Sequence, residues 1–314
     1  MISILIPVKN EGKFIRQCLD GIYSQKIDEE FEVIIIDSGS TDDTVNIIKE
    51  YDVQLHHINP SSYHHSKTRN LLVQKAKGDI FVFTVGDAIP YNNFWLKELV
   101  SPLKENAVAA SYSRQIPREE SNPVDSHFIK NAFPPYKIEK KLGNLMEYDY
   151  ALHWDDLIFF SDVSSAYRKE IWEKFKFDEN LRYGEDQAIA KKILEDGYTI
   201  VYNPSSIIIH SHEENSKTIF KRNIEIARAF REISGAKARL ITLPFNLIVG
   251  SKNFYSVLKK MNINRKLYWT YTSFKKGLAG GLGRFIGFHY NKIPSIFKNK
   301  FKFLPEEKRN INNE

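Results

Sequence analysis

Short, nearly unbroken apolar runs alternate with stretches in which apolar residues recur every three or four positions. ISILIPV (2 to 8) and EVIIID (32 to 37) are runs of the first kind, the pattern of strands buried on both faces of a parallel sheet. Between them Ile15, Cys18, Leu19, Ile22 and Tyr23 recur at i, i+3, i+4, i+7 and i+8, which predicts an amphipathic helix. VQLHHI (53 to 58) and Ile80 to Thr84 supply two further strands. Ser40 is placed to cap a helix in STDDTVNIIKEYD, with Asp42 and Asp43 favourable in its first turn. Another helix, around 67 to 77, stops at Gly78. This alternation predicts an α/β protein with a doubly wound sheet.

The second half is less regular. A helix near 92 to 105 leads to a strand in AVAASYS, and residues 113 to 156, with four prolines, predict a long, partly helical insert across the mouth of the sheet. LIFFSD (157 to 162) reads as a strand, SSAYRKEIWEKF as a capped helix and GEDQAIAKKILEDG as a helix ending at Gly197. Two short strands, YTIVY and SIIIHSH, complete the body. From Ser216 onward the pattern is helical, with a glycine-rich break at 277 to 287. The expected division is a body over 1–215 and a mostly helical region over 216–314.

Composition adds one asymmetry. Residues 1 to 215 carry 24 Lys and Arg against 34 Asp and Glu, whereas residues 216 to 314 carry 21 against 5. A basic, aromatic-rich region of this kind suits an anionic lipid surface or nucleic acid, and no recognised nucleic-acid module accompanies it. The single cysteine excludes an internal disulfide and a cysteine zinc site. No export signal is expected at the N-terminus, and LITLPFNLIVG is about half the ~20 residues that cross a bilayer.

Candidate chemistry gathers at predicted strand ends, where an open α/β sheet binds its ligand. Asp87 follows the strand Ile80 to Thr84, Asp37 ends EVIIID, and His210 and His212 end the last strand. Hard carboxylate oxygens at Asp87 suit Mg2+ or Mn2+ bridging a diphosphate. His210 and His212, two apart, share one strand face, so one could join the metal. Asp37 can accept from the ring N–H of a uracil, thymine or guanine, and Arg69 could contact the same base or a phosphate. Glu185 and Asp186 open a helix; there a carboxylate either complements the helix dipole or takes a proton from an attacking hydroxyl. No P-loop and no dinucleotide fingerprint occurs.

In this order and spacing ILIPVKNEG, IIIDSGSTDDT, TRN, Asp87 and GEDQAIAKKIL resemble the family 2 glycosyltransferases over about residues 1 to 215. The resemblance implies a GT-A fold, a doubly wound mixed sheet, here with a C-terminal basic helical extension. It places Pro7, Asn10, Glu11, Asp37 and Arg69 at the nucleotide, Asp87 with His210 or His212 at a divalent metal, and Asp186 as catalytic base beside Glu185. It further implies a bacterial cytoplasmic enzyme on the inner membrane face, acting on a saccharide or polyprenyl-linked saccharide. Two departures stand out: Val85 and Gly86 replace the first part of the usual Asp-x-Asp, and Gln-x-x-Arg-Trp of the processive members is absent. The second favours addition of one sugar, and the first motivates a rival, a non-catalytic nucleotide-sugar or carbohydrate-binding protein. YHHSKTRN and TVGDAIP are similar to the bacterial rhamnosyltransferase branch, which implies a dTDP-sugar donor, with UDP-sugar as the other choice.

Overall fold

The computed structural model describes residues 1–142, 157–181, 183–234 and 243–294. It forms two compact units, Met1–Glu120 with Phe128–Ser211, and Ser121–His127 with His212–Glu314.

The first unit is built on a sheet. Strands β1 (Ile2–Val8), β2 (Phe31–Asp37), β3 (Gln54–His57) and β4 (Ile80–Thr84) are the predicted apolar runs, and they pair in parallel in the order β3-β2-β1-β4. Helix α1 (Ile15–Tyr23) buries Ile15, Cys18, Leu19 and Ile22, while Tyr23 lies at the rim. Helices α2 (Thr44–Ile48) and α3 (His65–Lys75) connect the next strands. After β4 come the two-residue β5 (Ile89–Pro90), helix α4 (Trp95–Val100), β6 (Val108–Ile116), helix α5 (Pro123–Ala132) and β7 (Ile138–Lys140). Residues 143–156 of the expected insert lie outside the described residues.

Two sequence expectations change here. LIFFSD is not a strand; the strand is β8 (Ser164–Arg168), and only Lys169–Phe175 (α6) is helical. Ser164 and Ser165 imitate a helix cap in sequence, but their hydroxyls are buried partners of Trp95 and Asp162 inside the sheet. The two short strands predicted after α7 (Glu185–Glu195) are one, β9 (Thr199–Ile209). Its register with β6 shifts between Ser113 and Arg114, where residues 204–206 of β9 form a bulge that accommodates Pro204.

Strand β8 runs antiparallel to both β4 and β6, and β9 runs parallel to β6, so the sheet is mixed. This topology gathers one edge. The C-terminal ends of β1, β2, β4, β6 and β9 and the N-terminal end of β8 all lie there.

The second unit consists mainly of helices α8 (Ser216–Ser234), α9 (Leu243–Lys260) and α10 (Lys266–Phe288). The glycine-rich break is absent: residues 277 to 287 are the interior of α10. A Cβ on Gly283 would lie 2.5 Å from Phe220 O, and one on Gly287 would overlap Ile224 O. The glycines let two backbones approach closely, which outweighs their poor helix propensity. Val124, Phe254 and Leu258 form a small core with Ile263 and Trp269, and Lys276 is buried in an ion pair with Asp125 at 2.6 Å.

Candidate active site

The predicted residues lie within or just after β1, at the end of β2, after β4 and β9, and on helices α3 and α7. The loop after β1 is stitched to the loop after β2: Asn10 N donates to Ser40 Oγ (2.9 Å), Thr41 N to Asn10 Oδ1 (2.8 Å), Glu11 N to Thr44 Oγ1 (2.7 Å) and Gly12 N to Asp42 Oδ2 (2.9 Å). Asn10 takes the left-handed conformation at φ 56°, which Asn tolerates better than other side-chain-bearing residues. Pro7 lies within β1 opposite Ile36. Asp37 is 2% exposed and accepts from Gly39 N, Ser40 N and Ser40 Oγ, with His57 Nδ1 at 3.3 Å. Burial would raise its pKa, but these hydrogen bonds outweigh it and hold the carboxylate below its ordinary value. In the structure, therefore, Asp37 orders the loop that follows it.

Asp87 is 5% exposed at the turn after β4. Gly86 cannot carry a side chain without meeting Glu11 Cγ at 2.9 Å, and Val85 packs against the main core. An aspartate at position 85 would be desolvated there, a physical reason for the shortened motif. His210 faces Asp87, Nε2 to Oδ1 at 3.6 Å. Gln115 Nε2 donates to Ser161 Oγ, so its Oε1, 3.0 Å from His210 Nδ1, accepts from that nitrogen. This fixes the proton on Nδ1 and turns the Nε2 lone pair toward Asp87, the arrangement of a metal-binding histidine. Asp87 and His210 thus fit a shared Mn2+ or Mg2+. His212 is exposed and begins the second unit.

Sequence reasoning missed Arg118. It is 8% exposed, places Nη2 3.2 Å from Asp87 Oδ2, donates also to the backbone oxygens of Asp87 and Ser211, and stacks 3.9 Å from the Phe14 ring centroid. The signal was the strand end: β6 extends to Ile116, three residues beyond the sequence expectation, which brings Arg118 to the ligand edge. Glu11 shares this neighbourhood; burial and then the Asp87 charge push its pKa up to about 7, against the opposing pull of Arg118.

A second cluster surrounds Arg69. Its guanidinium is paired with Glu185 through Nη1, and its Nε lies 3.8 Å from Asp162 Oδ2. Thus the structure shows Arg69 buried against acids rather than turned toward a base or phosphate. Asp162, also missed by sequence reasoning, is 1% exposed and accepts from Ser165 Oγ (2.6 Å) and Tyr167 OH (2.9 Å). Burial raises the pKa of Asp162 and of Glu185, with Arg69 opposing. Asp186 is raised further, by burial and then by the Glu185 and Asp162 charges, and its Oδ1 accepts from Gln187 N at 2.8 Å. Three acids around one cation make a proton-attracting site, and a carboxylate of raised proton affinity suits general-base chemistry.

Comparison with known proteins gives the family and the fold. The model of "Glycosyl transferase family 2" matches residues 3–176. The O-antigen chain rhamnosyltransferase RfbN of Salmonella typhimurium is 26% identical over 306 residues, covering 93% of this chain and 91% of the relative. WbaN of Salmonella anatum, also an O-antigen chain rhamnosyltransferase, is 26% identical over 304 residues, 93% of this chain and 90% of its own. Among solved structures, the mannosyltransferase PcManGT from Pyrobaculum calidifontis, in complex with GDP-Man and Mn2+, superposes with a TM-score of 0.58 at 18% identity, over 90% of this chain and 86% of that one. The fold is that of the GT-A glycosyltransferases.

Proposed function

The chain belongs to glycosyl transferase family 2, and we propose that it is a non-processive, inverting rhamnosyltransferase that moves one sugar from a thymidine-diphosphate donor to a saccharide or lipid-linked saccharide in surface-glycan synthesis. The observation that supports a transferase over a mere binding protein is the pairing, at one sheet edge, of a metal-competent Asp87–His210 couple with the proton-attracting Asp186. The choice of rhamnose rests on the likeness to two O-antigen rhamnosyltransferases.

In this reading Pro7, Asn10 and Glu11 line the nucleotide pocket, and Asp37 stands at its base end. Asp87 and His210, with His212 two residues on, would hold Mn2+ or Mg2+, whose charge would offset that of the diphosphate. Asp186 takes the acceptor proton as the acceptor oxygen attacks the anomeric carbon, and Glu185 holds Arg69 beside it. A single displacement inverts the anomeric centre.

The second unit supports a membrane-surface location. No acidic residue occurs from 233 to 305. Met261, Leu267, Tyr268 and Tyr271 are 56%, 77%, 56% and 60% exposed around the α9–α10 turn, with Lys259, Lys260, Arg265 and Lys266 in the same stretch. Exposed apolar and aromatic groups among cations suit an anionic bilayer surface. Among the described residues no helix is long and apolar enough to cross a membrane.

The test offers the purified protein dTDP-rhamnose, UDP-sugars and GDP-sugars with Mn2+ and a lipid-linked acceptor fraction, and follows nucleotide release. Release only from dTDP-rhamnose is expected. No release from any donor, together with no thermal stabilisation by any nucleoside diphosphate, would return the chain to the binding-protein rival without a nucleotide.

A further inference from the structure

Arg118 has no place in the reading above, yet its guanidinium lies 3.2 Å from the metal-competent carboxylate. It is buried, and its guanidinium lies on Asp87 twice, once at the backbone oxygen and once at Oδ2. Stacking on Phe14 and the bond to Ser211 O fix the plane of the fork. Nε has no hydrogen-bond partner among the described residues, so the donor set is not saturated. The charge balance is equally specific. With Val85 in place of a second aspartate, the Asp87–Arg118 pair is neutral, and a divalent cation entering alone gains little from it. A cation arriving with a diphosphate meets a different balance, because the phosphate oxygens offer the guanidinium another anion, and arginine matches phosphate geometry with two parallel N–H donors.

We propose that Arg118 guards Asp87 in the unliganded protein and turns to the diphosphate when the donor binds, so that it both gates the metal and stabilises the leaving group. The proposal rests on the glycosyl-transfer reading for its second half. In that step the acceptor oxygen forms its bond to the anomeric carbon as the bond from that carbon to the diphosphate oxygen breaks. The electron pair leaves with the diphosphate, where Arg118 donates to the oxygen that gains the charge, and the acceptor proton goes to Asp186. Arg118 thereby supplies a positive charge to the diphosphate where a second carboxylate would have supplied only more metal affinity.

The test is Mn2+ binding by the full chain, read from the electron paramagnetic resonance signal of free Mn2+, with and without thymidine diphosphate, for the wild type, R118Q and R118K. Wild type is expected to bind Mn2+ weakly alone and more tightly with the diphosphate, by a coupling factor of roughly 5–150-fold. R118Q should bind Mn2+ alone about tenfold more tightly, because Asp87 is released, and its coupling factor should fall toward one. R118K keeps a charge without the fork and should lie between the two, which separates loss of the gate from loss of the fold. An R118Q protein with unchanged Mn2+ affinity and unchanged coupling would overturn the proposal while leaving the transferase reading intact. A wild type that binds no nucleoside diphosphate would overturn that reading and the leaving-group role with it, before any variant is compared.

Discussion

Arg69→Met is the perturbation that most directly questions the electrostatics of the acid cluster. The guanidinium, 7% exposed, is the cation paired with Glu185 and Asp162, and Asp186 feels its charge as well. Methionine preserves most of the buried volume and removes only the charge and its donors. Breaking a buried pair from one side costs about 3–5 kcal/mol, because the remaining charge is stranded. Here the stranded groups can take up protons, so the cost must depend on pH. Burial already raises the folded-state pKa of Asp162, Glu185 and Asp186 above ordinary values of 3.8, 4.5 and 3.8. The folded protein therefore holds protons that the unfolded chain has released, and stability is lost as pH rises through the folded values. Removing Arg69, whose charge lowers all three, extends that window upward. Each additional proton held by the folded variant steepens the loss by about 1.4 kcal/mol per pH unit. Urea unfolding followed by tryptophan fluorescence should show a deficit of about 3–5 kcal/mol at pH 8, shrinking by up to ~2.7 kcal/mol at pH 6. A deficit that is the same at both pH values, or below about 1 kcal/mol at pH 8, would refute the charge-cluster account.

Three further outcomes follow from other parts of the molecule. Asp186→Asn should lower turnover by at least ~10²-fold, the lower end of general-base assistance, while calorimetric affinity for thymidine diphosphate stays unchanged; normal turnover would remove Asp186 from the mechanism. Burial and the Asp87 charge push the Glu11 pKa up to about 7 from 4.5, so Glu11→Gln should lose less stability than wild type as pH rises through that interval; equal urea midpoints for the two proteins at pH 5 that remain equal at pH 8 would contradict the raised value. Gly287→Ala should cost about 1–3 kcal/mol through overpacking against Ile224, despite alanine's better helix propensity, and a rise in melting temperature would show that the α8–α10 approach is looser than described.

Much of the fold was legible because its signals are local. The apolar runs at 2–8 and 32–37 need no partner to be read as strands, and the stripe Ile15, Cys18, Leu19, Ile22 needs only helical periodicity. Where the reading failed, the deciding contact was distant in sequence. Ser164 and Ser165 look like a cap until Trp95 and Asp162 are placed beside them, and the glycines of α10 look like a break until Phe220 and Ile224 are brought against them. The site divides the same way. Asp87, His210, Glu185 and Asp186 were found because each stands at an element end, where chemistry is expected. Arg118 was missed because β6 was ended too early, and Asp162 because the strand was placed at 157–162, whereas it begins at Ser164 and Asp162 lies before it, bonded to Ser165 and Tyr167.

Neither carboxylate cluster can be understood from its acids alone, because each is balanced by a buried arginine. At Asp87 one buried cation meets one strand-end carboxylate, a balanced pair on which the next charge to arrive can act. At Asp186 one buried cation meets three acids, an excess that raises proton affinity. A displacement at an anomeric carbon requires both conditions at once: a place where negative charge can build on the departing diphosphate, and a place that draws a proton from the entering hydroxyl. Environments that separate the behaviour of like groups are how one fold assigns opposite tasks to carboxylates. On this argument the identity of the balancing cations, Arg118 and Arg69, divides the labour between the two clusters. Exchanging the balance, by neutralising Arg118 or by neutralising one acid beside Arg69, should impair leaving-group departure in the first case and proton removal in the second.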